Sequence, residues 1–134
     1  MRILLTGATG FVGGAIAAEL AARGLLAQTL FMARGKDKQA AAARIRETLL
    51  RFGATPAQAQ QVQAASVLLG DLTEPATLAA LALPDDITHV IHCAALATFS
   101  TNPKIWASNV DGTLALAKAV LARNRLTRWL QVGT

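Results

Sequence analysis

The residues best spaced to do chemistry are the glycines of Thr6-Gly7-Ala8-Thr9-Gly10-Phe11-Val12-Gly13, which follow the apolar run Ile3-Leu4-Leu5. In a strand-to-helix turn of this kind the first glycine supplies a tight bend. The second removes a side chain where a diphosphate must approach, and the third lets the helix pack closely. Gly7, Gly10 and Gly13 suit those three tasks. Amide N–H groups at the positive end of the following helix would then meet the phosphates. No Gly-Lys-Ser/Thr sequence follows, which disfavours a nucleoside-triphosphate hydrolase. A glycine turn that merely joins strand to helix is the plainer reading, and the alternation of elements further along the chain favours ligand binding over it.

A second chemical signal lies 21 residues after Gly13, where Arg34 closes an apparent strand. A site built for NAD usually places Asp or Glu here to accept from the adenosine ribose hydroxyl. Arg34 instead offers a planar fork of donors to a 2'-phosphate, which points to NADP(H), with NAD(H) as the lesser alternative. Arg44 is a second candidate for the same phosphate. Lys36 and Lys38 could assist, or could simply be part of a solvated basic face. Asp71 follows a third apparent strand, where its carboxylate can accept from an adenine amino group or cap the Thr73-Glu74-Pro75 helix. In His92-Cys93-Ala94-Ala95 the small Ala94 and Ala95 would let a cofactor pass close to backbone, His92 reads as a satisfied structural histidine, and nothing marks Cys93 as a nucleophile.

These residues need elements to position them. Residues 2–6 read as a buried parallel strand, and an Ala-rich helix with Ile16, Glu19, Leu20 and Arg23 follows and stops at Gly24. A strand over 28–33 precedes a helix capped by Asp37 and ended by Gly53, and Thr55-Pro56 starts a short helix. Residues 66–69 form a third strand and 75–83 a helix that Pro84-Asp85-Asp86 breaks. A fourth strand over 88–93, a helix over 109–123 and a fifth strand over 129–132 complete the pattern. Strands alternating with helices imply right-handed parallel crossovers and an α/β doubly wound, Rossmann-type sheet, in the order 3-2-1-4-5. Its binding crevice falls where that order reverses, between the first and fourth strands.

Composition narrows the class. The formal charge is +5, but residues 31–52 carry six basic and two acidic groups while residues 53–100 carry four acidic and no basic ones. A basic cluster facing a phosphorylated cofactor accounts for this. A nucleic-acid partner is not expected, because the chain has no arginine-rich block and its six aromatic residues include no tyrosine. Apolar runs are interrupted well short of the roughly 20 residues that span a bilayer, so no membrane partner is expected, and the default setting is the cytoplasm. Cys93 is the lone cysteine, and His89 and His92, three apart on a strand, point to opposite faces, so no metal site is expected.

Thr-Gly-Ala-Thr-Gly-Phe-Val-Gly at 6–13, Gly-Asp-Leu at 70–72, His-Cys-Ala-Ala at 92–95 and Asn-Val-Asp-Gly-Thr at 109–113 together resemble the extended short-chain dehydrogenase/reductase family. Arg34, the helix bearing Arg44-Ile45 and Leu49, the long passage to Gly70-Asp71-Leu72, and Pro75 are similar to its thioester-reductase and fatty-acyl reductase branch, although Leu-Gly-Leu wording after Pro75 is missing. The resemblance implies reduction of a carbonyl or an acyl thioester, either small or carrier-linked, with NADPH. It implies that Gly7, Thr9, Gly10, Phe11 and Val12 hold the diphosphate, Arg34 the 2'-phosphate and Asp71-Leu72 the adenine, with Ala94 and Ala95 beside the ribose and nicotinamide. Asn109 would organise the active-site backbone or a proton path, or cap its helix. Thr134 would orient the substrate oxygen, with Gly133 in place of the commoner serine before it.

The family's proton-handling Tyr-x-x-x-Lys segment is not in this sequence, which has no tyrosine. The expectation is therefore a single cofactor-binding domain over 1–134, truncated before further strands and a substrate region, and inactive alone. Its fifth strand would be an apolar edge open to self-association. The alternatives are a fragment of a nucleotide-sugar epimerase or dehydratase, whose common NAD-using forms carry an acidic residue instead of Arg34, and a non-catalytic dinucleotide sensor.

Overall fold

A computed structural model describes residues 1–98 and 101–133. Its centre is a five-stranded parallel sheet in the order β3-β2-β1-β4-β5, as the alternating pattern predicts. The strands are β1 (Ile3–Thr6), β2 (Thr29–Ala33), β3 (Val67–Leu69), β4 (His89–His92) and β5 (Arg128–Gln131). β1 is buried along its whole length, as a central strand covered on both faces must be. Its registers, Thr6 beside Met32 on one side and Thr6 beside His92 on the other, bring the carboxyl ends of β1, β2 and β4 level.

Alternate side chains of the sheet feed two cores. Ile3, Leu5, Phe31 and Val67 face α1 (Phe11–Ala22) and α2 (Lys38–Arg51), and pack with Ala17, Leu20, Ile45 and Leu49. Leu4, Leu30, Leu68 and Val90 face the other way, onto Leu78 of α4 (Pro75–Leu78) and onto Leu116 and Val120 of α6 (Thr113–Leu121). At roughly 1.5–3 kcal/mol for each large side chain fully buried, these two layers dominate the stability that holds the strand ends in place.

The local signals behave as their chemistry requires. The Asp37 side chain accepts from the Ala40 N–H at 2.7 Å and starts α2. Thr55 and Gln58 form a reciprocal capping box that starts α3 (Pro56–Ala59). Gly24 and Gly53, at φ +70° and +90°, end α1 and α2.

Two helices differ from the sequence reading. The helix expected over 75–83 has only the α-helical turn Pro75–Leu78. The helix expected to begin at Asn109 begins five residues earlier, as α5 (Lys104–Trp106), and runs through a π turn at Ala107–Gly112 directly into α6. Asn109 thus lies inside a helix, and the capping role is corrected. The physical reason is that Pro103 initiates a helix without giving up a needed N–H, and the π turn realigns the apolar face, so the 3.6-residue periodicity of α6 does not extend back to the true start.

β5 is an edge strand, with Leu130 45% exposed. Trp129 on its other face turns inward, its ring centroid 5.8 Å from that of His92. Among the described residues no helix is long and apolar enough to cross a membrane.

Candidate functional site

The loops leaving the carboxyl ends of β1, β2, β3 and β4 enclose a cleft of about 250 Å³ at the point where the strand order reverses. Gly7, Thr9 and Gly10 form one wall, Arg34 and Arg44 the β2 side, Asp71 and Leu72 the β3 side, and Ala94 and Ala95 the β4 side. Nine of the residues picked out from the sequence therefore meet in one place. The lining also contains Ala8, Met32, Ala33, Gly70, Thr73, Cys93, Leu96 and Ser108. Most of these are neighbours of residues already singled out, whereas Ser108 gave no signal in the sequence.

The glycine turn is fixed by sterics at two of its three positions. Gly7 has φ +77°, and a Cβ there would lie 2.7 Å from the Ala94 nitrogen, so β1 can approach the β4 loop only with glycine at this point. A Cβ at Gly13 would collide with the Gly7 carbonyl oxygen. Gly13 thus lets α1 sit directly over the turn. Close helix-to-helix packing falls instead to Gly14, where a Cβ would be 2.7 Å from Thr48 Cγ2. At Gly10 the nearest obstacle to a Cβ is the Gly7 oxygen at 3.3 Å. The protein itself barely forbids a side chain there, so the space beside Gly10 stands open.

That space lies at the N-terminus of α1. Gly10 N–H donates to the Gly7 carbonyl and Gly14 N–H to the Gly10 carbonyl, each at 2.9 Å. The N–H groups of Phe11, Val12 and Gly13 precede the first α-helical acceptor and are left for an anion, with the helix dipole behind them. Only the backbone of Phe11 and Val12 can serve in this way. The Phe11 side chain is 80% exposed and lies outside the cleft, edge-on to Phe52 at 5.7 Å. Gly13 contributes through packing and its N–H and does not line the cleft.

Arg34 and Arg44 act as a unit. Arg44 Nη1 donates to the Arg34 carbonyl oxygen at 2.8 Å, which ties α2 to the end of β2 and brings two guanidinium groups to the same side of the cleft. Lys36 and Lys38 are exposed and do not line it. Asp71 Oδ1 accepts from the Thr73 N–H at 2.9 Å and from the Thr73 hydroxyl at 2.7 Å. Asp71 thus closes a turn onto Thr73 and does not cap the helix, since α4 has Glu74 at its N-cap without a side-chain bond, and its other oxygen is not used by these bonds. Burial opposes ionisation of Asp71, but the two Thr73 bonds and the charges of Arg34 and Lys104 outweigh it and hold the carboxyl below its ordinary range.

Behind the cleft floor lies a buried polar chain that the sequence did not reveal. Thr6 Oγ1 accepts from the Cys93 and Ala94 N–H groups at 3.2 and 3.1 Å, and lies 2.7 Å from His92 Nδ1. A hydroxyl with both acceptor sites filled has only its hydrogen left, so Thr6 donates to Nδ1. His92 then carries its proton on Nε2 and donates it to Thr113 Oγ1 at 3.0 Å. The ring is fully buried, and burial lowers its pKa to about 4. His92 is thus a neutral, satisfied structural histidine that links β1, β4 and α6. Burial likewise raises the Cys93 thiol, which leaves it protonated and a poor nucleophile.

Asn109 holds the far wall. Its Oδ1 accepts from the Leu96 N–H at 2.8 Å and its Nδ2 donates to the Leu96 carbonyl at 3.1 Å, so one side chain fixes both polar groups of a cleft-lining residue. Thr134, the other residue expected to act on substrate, lies outside the described residues. Among the described residues no group of His, Cys, Asp and Glu side chains is arranged to hold a metal ion.

Comparison with known proteins agrees with this geometry. Residues 5–134 match the profile of the NAD-binding family described as Male sterility protein. No curated protein sequence matches significantly. Among solved structures, the chain is 28% identical, over 99% of its length, to a thiolation-reductase di-domain from an archaeal non-ribosomal peptide synthetase, with a TM-score of 0.75. It is 27% identical, again over 99%, to the terminal R domain of the myxalamid PKS-NRPS biosynthetic pathway, with a TM-score of 0.78. It is 25% identical over 93% to the PhqB reductase domain from Penicillium fellutanum, with a TM-score of 0.65. The chain spans 28%, 34% and 35% of those three chains respectively. The profile match over nearly the whole length, the 3-2-1-4-5 sheet and the glycine cradle lead to one assignment: the chain belongs to the NAD-binding male sterility protein family, within the extended short-chain dehydrogenase/reductase group, and its cofactor is a nicotinamide dinucleotide.

Proposed function

We propose that this chain holds NADP(H) for a cytoplasmic reductase that acts on a carbonyl or an acyl thioester, with a carrier-linked acyl group as the preferred substrate. The observation that carries this reading is the convergence of the glycine cradle with Arg34 and Arg44 in one cleft. The reductase and thiolation-reductase descriptions of the similar structures support the substrate class. The bound dinucleotide would supply hydride to the carbonyl carbon. The chain's own residues bind and orient: first-turn N–H groups of α1 meet the diphosphate, Arg34 forks onto the 2'-phosphate with Arg44 beside it, and the second oxygen of Asp71 accepts from the adenine amino group. Ala94 and Ala95 allow close passage of the ribose and nicotinamide, while Asn109 fixes the Leu96 backbone and Thr134 aligns the substrate oxygen.

Titration of the chain with NADPH and NADH, before and after Arg34→Ala, tests this. Loss of a charge-assisted contact of about 1–3 kcal/mol would reduce the preference for NADPH by roughly 5- to 150-fold. Equal affinity for both dinucleotides, unchanged by Arg34→Ala, would remove Arg34 from its role. Self-association through the exposed β5 edge is a separable part of the reading, and a molecular mass that does not change with concentration would exclude it.

A further inference from the structure

Three contacts run from one short stretch of helix to three parts of the cleft wall, and the proposed function uses only the first. Asn109 holds both backbone polar groups of Leu96. Gly112 is seated so closely on the Leu72 carbonyl oxygen that a Cβ would collide with it. Thr113, the first residue of α6, lies 3.0 Å from His92 Nε2 and accepts its proton. Leu96 and Leu72 line the cleft directly. The contact from Thr113 reaches the lining through His92 and Thr6, and ends on the Cys93 and Ala94 N–H groups.

Each link of that relay has one direction. Thr6 Oγ1 accepts from two N–H groups, so it donates to His92 Nδ1, and the ring then donates from Nε2. His92 is fully buried, so the acceptor for that proton has to come from the protein, and Thr113 supplies it. The π turn Ala107–Gly112 adds a residue to the helical circuit, which turns Thr113 by about 100° relative to α5. There is little slack at the far end of the relay. A Cβ on Gly7 would lie 2.7 Å from the Ala94 nitrogen, so a movement of the Ala94 backbone changes the gap between the β1 and β4 sides of the cleft.

We propose that Thr113 is a positioning residue for the dinucleotide: through His92 and Thr6 it holds the Ala94 backbone at the ribose and nicotinamide side, while Gly112 holds the Leu72 side independently. The inference rests on the dinucleotide reading of the cleft and adds to it a residue that acts from behind the lining.

The test uses the full chain with NADPH and 2',5'-ADP as probes, comparing wild type, Thr113→Val and Thr113→Ser by calorimetry. Thr113→Val removes the acceptor and is expected to weaken NADPH about 5-fold while leaving 2',5'-ADP, which has no nicotinamide half, unchanged. Thr113→Ser keeps the hydroxyl and is expected to bind NADPH as wild type does. The His92 Nε2–H proton should be protected from exchange in wild type and Thr113→Ser and lose that protection in Thr113→Val. If Thr113→Val does not fold, Thr113→Cys replaces it, because a thiol is a weak acceptor, and the same loss confined to NADPH is expected. Equal weakening of both probes would overturn the proposal, as would a folded Thr113→Val protein with wild-type NADPH affinity or a Thr113→Ser protein as weak as Thr113→Val. Failure of the wild-type chain to bind either probe would instead refute the underlying reading of the cleft, and the role of Thr113 with it.

Discussion

Replacing Thr6 with valine, which keeps the shape and removes the oxygen, is the most searching test of how the cleft floor is built. In the folded protein that oxygen accepts from Cys93 and Ala94 and donates to His92 Nδ1. The Cys93 N–H keeps an alternative acceptor in the Thr6 carbonyl, at 3.3 Å. The Ala94 N–H borders the cleft and can recover water, so its loss falls near the lower end of the 1–3 kcal/mol expected for an unsatisfied group, about 1 kcal/mol. His92 Nδ1 is fully buried and has no such recourse, so about 2 kcal/mol is expected there. Together these give about 3 kcal/mol, or a fall in Tm of roughly 10 °C for a domain of this size. Thr6→Ser keeps the hydroxyl and loses one methyl group, for about 1 kcal/mol. Urea and thermal denaturation of the three proteins measure the series. A Thr6→Val protein within 1 kcal/mol of wild type, or a Thr6→Ser protein as damaged as Thr6→Val, would refute the tautomer and the hydrogen-bond chain derived from it.

Two further outcomes follow from the same physics. The His92 pKa is about 4 in the folded state against 6.5 for an ordinary histidine, so the unfolded chain binds the extra proton first. Stability from this residue is complete above pH 6.5 and is lost as pH falls toward 4, by on the order of 3 kcal/mol. A flat denaturation free energy across that window in wild type, or an equal slope in His92→Gln, would contradict it. Gly13→Ala reverses the usual sign for a helical glycine: alanine normally gains about 1 kcal/mol, but here its Cβ meets the Gly7 carbonyl oxygen, so both Tm and dinucleotide affinity should fall. A more stable Gly13→Ala protein with intact binding would show that the turn is looser than described.

Local sequence determined a great deal here, because each signal acts within a few residues. Short apolar runs separated by amphipathic segments dictated five parallel strands and their order, and the caps at Asp37 and Thr55 and the stops at Gly24 and Gly53 work through neighbours three or four positions away. The glycine spacing and Arg34 likewise pointed to one crevice. What depended on contacts between distant segments was decided only by the tertiary structure. Thr6 and His92 are 86 residues apart and become partners through strand register, which no local pattern encodes. Gly13 looked like a helix-to-sheet spacer, and its packing partner proved to be the Gly7 carbonyl. Asn109 was expected to organise the active-site backbone or a proton path, or to cap its helix; it holds the Leu96 backbone from inside the helix, because a π turn changes the residue count per turn without changing the hydrophobic content that periodicity reads. Ser108 was silent for the same reason: an ordinary serine in a helical sequence gains meaning only when the fold turns it into a cleft.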